Sequence, residues 1–307
     1  MKFEDVENAR QAYVMKLRKV RWKLFAVICG GLVLAVGLAY LTGVRVLGID
    51  GSLVVAGAMI AMSVVFLIDG LTGILVKDEL YNYRKVYKGY FVEKQLASFV
   101  TDLDYRHNAG LDRQILSLTG MIDTGDRYSS NDLTRGKYNG VNFMQADVHI
   151  QKEYRDDRGN KHYRTIFKGR FLVFDFPKEF KYRMVMAHKK IPTYYVNPKT
   201  GKGLKVVKTE SESFNKRFVV QAEDEFEAFY ILNPVFIENI EKLGEQHNDK
   251  VSVYFARSQM LVGINDGNDI FEPPNSRKAI NEQLEMEKVT GEMSLITKVV
   301  DDLRLRK

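Results

Sequence analysis

The sequence predicts a membrane-anchored α+β protein, in which a two-helix transmembrane hairpin precedes a cytoplasmic antiparallel-sheet domain and a C-terminal amphipathic helix. Three observations predict this fold class. Two long charge-free runs stand early in the chain, Lys and Arg flank them, and later segments alternate apolar and polar residues without a repeating strand–helix–strand pattern. The single cysteine, Cys29, cannot form an internal disulfide, so a secreted disulfide scaffold is excluded.

Residues 1–23 form a basic leader, and further Lys and Arg follow residue 76, whereas the connection between the two apolar runs carries only Arg45. By the positive-inside rule, this distribution places both termini in the cytoplasm. The leader residues predicted to lie at the membrane surface are Arg18, Lys19, Arg21 and Lys23. They either only fix the topology or also attract anionic lipid of the bilayer, at about 1 kcal/mol each.

The predicted transmembrane hairpin occupies residues 24–76, with spans at 24–41 and 51–68. With a rise of about 1.5 Å per residue, each span can cross most of a hydrocarbon core roughly 30 Å thick. One alternative is a pair of buried core helices in a soluble protein. Another is a cleaved signal peptide in place of the first span, but the basic leader is long for one and a small-residue cleavage site is missing.

The segment 77–107 is predicted to be one amphipathic helix next to the membrane. Its apolar residues recur at steps of three and four, as at Leu96, Phe99, Val100 and Leu103, and no proline interrupts it.

Residues 108–275 are predicted to form the α+β domain, because the apolar period changes to two after this point. A helical segment within residues 224–243 is expected to restart at Asn233, which can cap a helix whose first position is Pro234. The predicted strands are 141–151, 163–176, 181–187, 205–209 and 217–222, with a hairpin formed by 251–256 and 260–264.

The last segment, 276–307, is predicted to be an amphipathic helix, since its apolar residues stand at near-heptad spacing. That apolar stripe must cover the domain, a second copy of the chain or a partner. The adjacent prolines 273 and 274 cannot donate to a sheet, so their segment should run along the surface, where Phe271 either fills the core or offers an apolar anchor. The candidate interaction residues are Phe271, Glu272, Pro273, Met293, Ile296 and Val300.

Several motifs between residue 102 and the end stand in a characteristic order. They are Tyr128-x-Ser130-x-Asp132-x-x-x-Gly136, Tyr138-Asn139-Gly140-Val141-x-Phe143, Phe167-Lys168-Gly169-Arg170-Phe171, Phe214-Asn215-Lys216-Arg217-Phe218, Glu227-Ala228-x-Tyr230-Ile231-Leu232-x-Pro234, Phe271-Glu272-Pro273 and Val299-Val300-Asp301-Asp302-Leu303. Together they resemble a family of bacterial two-pass membrane proteins known only as domain of unknown function 3137. Asn233 and Pro177 depart from the family pattern, where Thr and Asn are usual.

This resemblance implies a multi-pass protein of the bacterial inner membrane without an established activity, and it supplies no catalytic residues. It also implies a LemA-type membrane protein as a partner. Homo-oligomerisation stays open.

Asp123 is the candidate for an enzymatic alternative. It begins an Asp-Thr-Gly sequence after apolar residues, which is typical of aspartic-type hydrolases, where two such carboxylates share a proton. A second Asp-Thr-Gly is missing from the chain, so this hypothesis requires a homodimer. Turn-forming residues follow at once and favour a surface loop instead.

Other motifs indicate little chemistry. The acidic stretch Asn265-Asp266-Gly267-Asn268-Asp269 could bind calcium, but it lacks the glutamate that closes a calcium loop, so a turn is predicted. The five histidines are scattered and the phosphate-binding glycine pattern is absent from the sequence. Despite a net charge of +7, acids and bases are interspersed, which argues against nucleic acid as a partner.

The sequence therefore predicts neither a cofactor nor a metal. The leading hypothesis is a non-enzymatic integral membrane protein whose cytoplasmic domain binds another protein or the membrane surface. The alternative is a membrane-tethered aspartic-type hydrolase that uses Asp123.

Overall fold

The computed structural model describes residues 1–41, 67, 70–119, 122–189, 204–269, 271–274 and 276–302 of the 307-residue chain. The chain divides into two compact units. One comprises Met1–Tyr90 with Pro273–Glu282, and the other comprises Phe91–Glu272 with Gln283–Lys307.

The described part of the first unit contains the helices α1 (Phe3–Leu41) and α2 (Lys77–Tyr87). The rings of Tyr13 and Tyr83 stack with their centroids 6.3 Å apart, and the ammonium of Lys16 lies 2.5 Å from a carboxylate oxygen of Glu79. The guanidinium of Arg10 pairs with Glu7 and donates to the Ser276 carbonyl oxygen at 2.6 Å, which ties the segment around residue 276 to α1.

The predicted transmembrane hairpin is corrected by this structure. In the part of the chain that it describes, none of the helices has both the length and the apolar character that crossing a membrane requires. The first predicted span continues the charged leader as one 39-residue helix. The second predicted span lies outside the described residues apart from Leu67.

The same finding overturns the membrane-anchored fold class and the predicted localisation as a multi-pass protein of the bacterial inner membrane. The antiparallel sheet that the sequence predicts after the hairpin is confirmed.

The predicted helix over 77–107 is also wrong in its last part. After α2 the chain forms a π-helical turn (Lys88–Glu93), the short helix α3 (Lys94–Leu96) and then strand β1 (Thr101–Arg106). Leu103 and Tyr105 alternate with polar residues here, so this stretch also fits a strand, and pairing with a neighbouring strand decides the outcome.

The second unit contains a sheet with seven strands among the described residues, in the order β1-β2-β3-β4-β6-β5, with β7 also paired to β4. The pairs are all antiparallel. The strands after β1 are β2 (Arg127–Tyr138), β3 (Val141–Arg155), β4 (Lys161–His188), β5 (Lys205–Val207), β6 (Phe218–Ala222) and β7 (Val251–Ile264).

Strand β4 continues through a point where the sequence predicts a break. It is 28 residues long and pairs with β3, β6 and β7. Pro177 lies in an irregular stretch between Asp175 and Phe180, where the register against β7 shifts, so the missing proline donor is accommodated without ending the strand.

The hairpin predicted over 251–264 is likewise wrong, since β7 continues along β4 instead of turning back on itself.

Helices connect and cover the strands of this unit. They are α4 (Arg113–Ser117), α5 (Glu212–Arg217), α6 (Glu225–Ile231), α7 (Pro234–Gln246) and α8 (Glu282–Asp302). Side-chain oxygens of Asp112, Ser211, Asp224 and Asn233 cap the first four of these helices. The Asn233 cap ahead of Pro234 is the one that the sequence predicts, and it is confirmed.

The two faces of the sheet differ in character. Ala146, Val148 and Ile150 of β3 lie in a hydrophobic cluster together with Phe167 and Phe171 of β4. Because successive side chains of a strand point to opposite faces, the residues between them, among them Gln145 and Asp147, lie on the other face. That second face carries the buried polar residues of the candidate site.

Candidate functional site

Three aspartates from separate segments meet on this face and form what we call the acidic cluster: Asp132 of β2, Asp147 of β3 and Asp269 after β7. One carboxylate oxygen from each lies within 4.8 Å of the other two. The side chains of Asp132 and Asp147 are 0% and 5% exposed, whereas Asp269 is exposed. Oxygen-only ligand sets of this kind suit hard cations such as Mg²⁺ and Ca²⁺.

An irregularity in β2 places Asp132 in the cluster. The register between β2 and β3 shifts between Asn131 and Thr134, and Asp132 has a left-handed backbone with φ 57°. Aspartate tolerates this conformation better than most residues. Asn131 lies opposite Asp147 in the ladder, so the bulge brings the Asp132 carboxylate next to that of Asp147.

The acidic cluster is asymmetric in its hydrogen bonds. The Tyr105 hydroxyl donates to Asp132 Oδ1 at 2.6 Å, and the Asn131 amide donates to Oδ2 at 2.7 Å. By contrast, neither oxygen of Asp147 accepts a hydrogen bond from any described residue. Arg170 of β4 lies directly opposite Asp147 in the ladder, and its side chain is 1% exposed.

These surroundings shift two ionisation equilibria. Burial raises the pKa of Asp147 well above its ordinary range, the charges of Asp269 and Asp132 raise it further, and the nearby Arg170 guanidinium opposes the shift. Burial, followed by the charge of Asp132, also raises the pKa of the Tyr105 hydroxyl. Tyr105 therefore remains a hydrogen-bond donor at neutral pH.

Part of the acidic cluster coincides with motifs singled out from the sequence. Asp132 and Arg170 belong to segments that carry the family resemblance, and Asp269 belongs to the calcium-like turn. The sequence patterns do not indicate Asp147 as a site residue, because an acidic residue on the polar side of an alternating strand is predicted to face solvent. Gly169 next to Arg170 has φ 152°, and a Cβ there would come within 2.0 Å of the Ile264 carbonyl oxygen, so the β4–β7 contact requires glycine.

The predicted interaction residues lie mostly inside the protein. Phe271, Met293, Ile296 and Val300 are 2%, 1%, 0% and 0% exposed, and Glu272 and Pro273 are half-buried. Phe271 thus fills a core position, the first of its two predicted alternatives. The basic residues Arg18, Lys19, Arg21 and Lys23 lie on α1, and all four are exposed.

Asp123, the candidate of the hydrolase alternative, lies in a turn. Its Oδ2 is 2.5 Å from the ammonium of Lys152, and its Oδ1 accepts the Gly125 backbone N–H at 2.9 Å. A lysine and a backbone amide thus occupy its two oxygens, which is typical of a structural turn and differs from the paired carboxylates of that reaction class.

A second feature, which the sequence patterns do not indicate, is an exposed surface on α6. Phe226, Phe229 and Tyr230 are 87%, 43% and 70% exposed, and we call them the α6 aromatic surface. The opposite side of the helix is buried through Ala228 and Ile231. From the sequence alone, aromatic residues in a seven-residue helix are predicted to be buried in the core, so the sequence does not predict this surface.

Hydrogen bonds fix α6 against β4. The Asp224 carboxylate accepts the Glu227 N–H at 2.8 Å, and the Glu227 carboxylate accepts the N–H groups of Lys181 at 3.2 Å and Tyr182 at 2.8 Å. Glu223 pairs with Arg183 directly before the helix. The α6 aromatic surface is therefore presented by a helix anchored at its first turn.

Comparison with known proteins gives a family match over part of the chain and one distant structural neighbour. No curated protein matches the chain. Among solved structures, the crystal structure of the mycobacterial trehalose monomycolate transport factor A, TtfA, has a TM-score of 0.39 at 8% sequence identity, with 73% of this chain and 96% of that chain covered.

The model of the family described as protein of unknown function (DUF3137) matches residues 165–305. This stretch includes Arg170, Asp269 and the α6 aromatic surface, whereas Asp132 and Asp147 precede it. The resemblance predicted from the sequence motifs is confirmed over residues 165–305, which match the family of proteins of unknown function DUF3137, whereas the motifs at 128–143 lie outside this match.

Proposed function

We propose that the protein is a non-enzymatic interaction module that binds another protein through the α6 aromatic surface. The observation that carries this proposal is the exposure of Phe226, Phe229 and Tyr230 on one short helix. Aromatic side chains are enriched in the buried centres of interfaces, where they combine a large apolar area with few rotatable bonds.

The anchoring of α6 supports this role. A partner that binds a helix already held by Glu227 and Asp224 does not have to order that helix on association. Less conformational entropy is lost, so more of the gain from burying the aromatic rings appears as affinity.

The charges around the α6 aromatic surface indicate the chemistry of the partner. Glu225 is exposed next to Phe226, and the carboxylates of Glu223 and Asp224 precede it. Arg183 already pairs with Glu223, so Glu225 is the exposed carboxylate next to the rings. A protein segment with apolar residues flanked by Lys or Arg complements such a surface. The LemA-type protein implied by the family resemblance is the first partner to test.

The proposal is tested with a photo-crosslinking amino acid in place of Phe226 in the full-length protein, in cells. The matched control places the same amino acid at Tyr154, which is 46% exposed on β3. We expect one discrete adduct from position 226 and none of the same mass from position 154. The partner is then purified, and the double variant Phe226→Ser, Tyr230→Ser should bind it at least about tenfold more weakly.

Unfolding temperatures of the two proteins should agree, because the changed side chains are exposed. Equal affinities of wild type and double variant would contradict the proposal. An adduct of twice the chain mass would contradict it as well, because the occupant would then be a second copy of this chain.

A further inference from the structure

We propose that Asp132, Asp147 and Asp269 form a binding site for a hard divalent cation of the Mg²⁺, Ca²⁺ and Mn²⁺ class. The proposal is independent of the α6 aromatic surface. It uses residues of β2, β3 and the segment after β7, and Asp147 is not part of any motif that the sequence patterns assign to a site.

The spacing of the carboxylates permits a shared ion. Calcium–oxygen bonds are about 2.4 Å long, so two oxygens on one ion are at most about 4.8 Å apart, and three evenly spaced oxygens are at most about 4.2 Å apart. The three aspartate oxygens lie within 4.8 Å of one another, so a small closure of the cluster allows them to share Ca²⁺, and Mg²⁺ requires a larger one. Asp132 is in addition oriented by hydrogen bonds from Tyr105 and Asn131, as metal-binding carboxylates commonly are.

A second observation points to an electropositive occupant. Within the described part of the chain, buried oxygens next to the acidic cluster lack donors: both oxygens of Asp147, Oε1 of Gln145 and Oγ1 of Thr134, in side chains that are 5%, 2% and 0% exposed. Gln145 lies two residues from Asp147 on the same face of β3, and Thr134 lies opposite Gln145 in the ladder. Buried polar oxygens are normally paired, so a row of this kind needs a cation or ordered water to satisfy it.

The charge balance favours a cation over water. If all three aspartates are ionised, Arg170 balances one of the three negative charges, and two remain in a largely buried place, where uncompensated charge is costly. The raised pKa of Asp147, caused first by its burial, reflects this cost. One divalent ion neutralises the two remaining charges and supplies the electrophile that the oxygens of Asp147 lack. Water would satisfy the lone pairs but not the charge.

The test is titration calorimetry on the full-length protein, stripped with EDTA and titrated separately with MgCl₂, CaCl₂ and MnCl₂. We expect one site for at least one of these ions. Asp147→Asn and Asp269→Asn should each weaken binding at least about tenfold, since each loses a charged ligand. The control Asp157→Asn changes an exposed carboxylate in the β3–β4 turn and should leave the affinity unchanged.

Thermal unfolding gives a second readout. Addition of the ion should raise the unfolding temperature of wild type and Asp157→Asn but not that of Asp269→Asn. Asp269 is exposed, so this variant decides the question even if Asp147→Asn fails to fold. The proposal is wrong if wild type binds none of the three ions below millimolar concentration, or if Asp269→Asn binds as tightly as wild type. One further outcome would contradict the proposal: wild type shows no response to ions, and Asp147→Asn is more stable than wild type. The acidic cluster would then be held by a shared proton and water.

Discussion

Arg170 and Asp147 place two buried charged side chains on one face of the sheet. They lie opposite each other between two strands, and both side chains are almost fully buried. The flanking Gly169 allows β4 to approach the carbonyl of Ile264 more closely than any side chain would permit. The local sequence Lys168-Gly169-Arg170 thus sets both the position of the guanidinium and the close contact with β7.

Replacement of Arg170 by Gln should destabilise the protein by about 3 kcal/mol, because it leaves buried carboxylates without their nearby positive charge. Urea unfolding of the two proteins measures this difference. Arg158→Gln, in the exposed β3–β4 turn, should change the free energy of unfolding by less than about 0.5 kcal/mol. A loss in Arg170→Gln as small as in this control would show that the guanidinium does not compensate the acidic cluster.

Gly169→Ala and Gly291→Ala should have opposite effects. At Gly169 a Cβ would collide with the Ile264 carbonyl oxygen at 2.0 Å, and the φ of 152° is unfavourable for alanine, so a loss of more than about 1 kcal/mol is expected. Gly291 lies within α8 with nothing inside 4 Å of the added methyl group, and alanine there should add about 0.5–1 kcal/mol. A denaturant midpoint of Gly169→Ala that equals or exceeds that of wild type would show that the close contact at Gly169 does not require glycine. A lower midpoint of Gly291→Ala would contradict the prediction for α8.

At the scale of elements, the junction of β6, α6 and β4 is held by carboxylates. The Glu223 carboxylate pairs with the Arg183 side chain and also accepts the backbone N–H of Arg183 at 2.9 Å. The Glu227 carboxylate accepts the backbone N–H groups of Lys181 and Tyr182, which directly precede Arg183. The hydrogen bond from the Arg183 side chain lowers the pKa of Glu223 in the folded protein. Stability at this junction should therefore depend on pH.

The sign follows from linkage. A lowered folded-state pKa gives a contribution that is fully present above the unfolded-state value for Glu, about 4.3, and is lost as pH falls through the folded value. Glu223→Gln should thus unfold at a lower temperature than wild type at pH 7, and the difference should shrink steadily as pH falls below about 4. Glu212→Gln, a carboxylate with an 88% exposed side chain, is the control and should unfold close to wild type at pH 7. A gap between wild type and Glu223→Gln that stays constant from pH 7 to pH 2 would exclude ionisation as its cause.

At the scale of the whole molecule, the sequence patterns that act over short distances predict the structure best. Alternation identifies β3, and the Asn233-Pro234 pair marks the start of α7, because both depend on neighbouring residues. The continuity of β4 through Pro177, the strand state of residues 101–106 and the acidic cluster depend on partners distant in the chain. Sequence alone cannot supply those partners, since a buried acid and a surface acid look the same in it.

The boundary of the sheet domain is also testable. A fragment of residues 91–307 retains the buried Leu96 and Val100 together with β1, and we expect it to unfold cooperatively. A fragment of residues 108–307 starts at the boundary that periodicity predicts, but it lacks β1 and leaves β2 as an open edge. Circular dichroism and sedimentation should show the shorter fragment to be less stable and prone to aggregate. Equal behaviour would mean that β1 is dispensable.

The pairing of β4 with β7 has a consequence for the newborn chain. Strand β4 ends at His188, whereas its partner β7 ends only at Ile264. At synthesis rates of about 5–20 residues per second, the central strand leaves the ribosome several seconds before that neighbour exists. During this interval the side of β4 that later pairs with β7 has no partner. The long sequence separation of this pairing, and not the final stability, therefore sets how long the chain is open to misassembly.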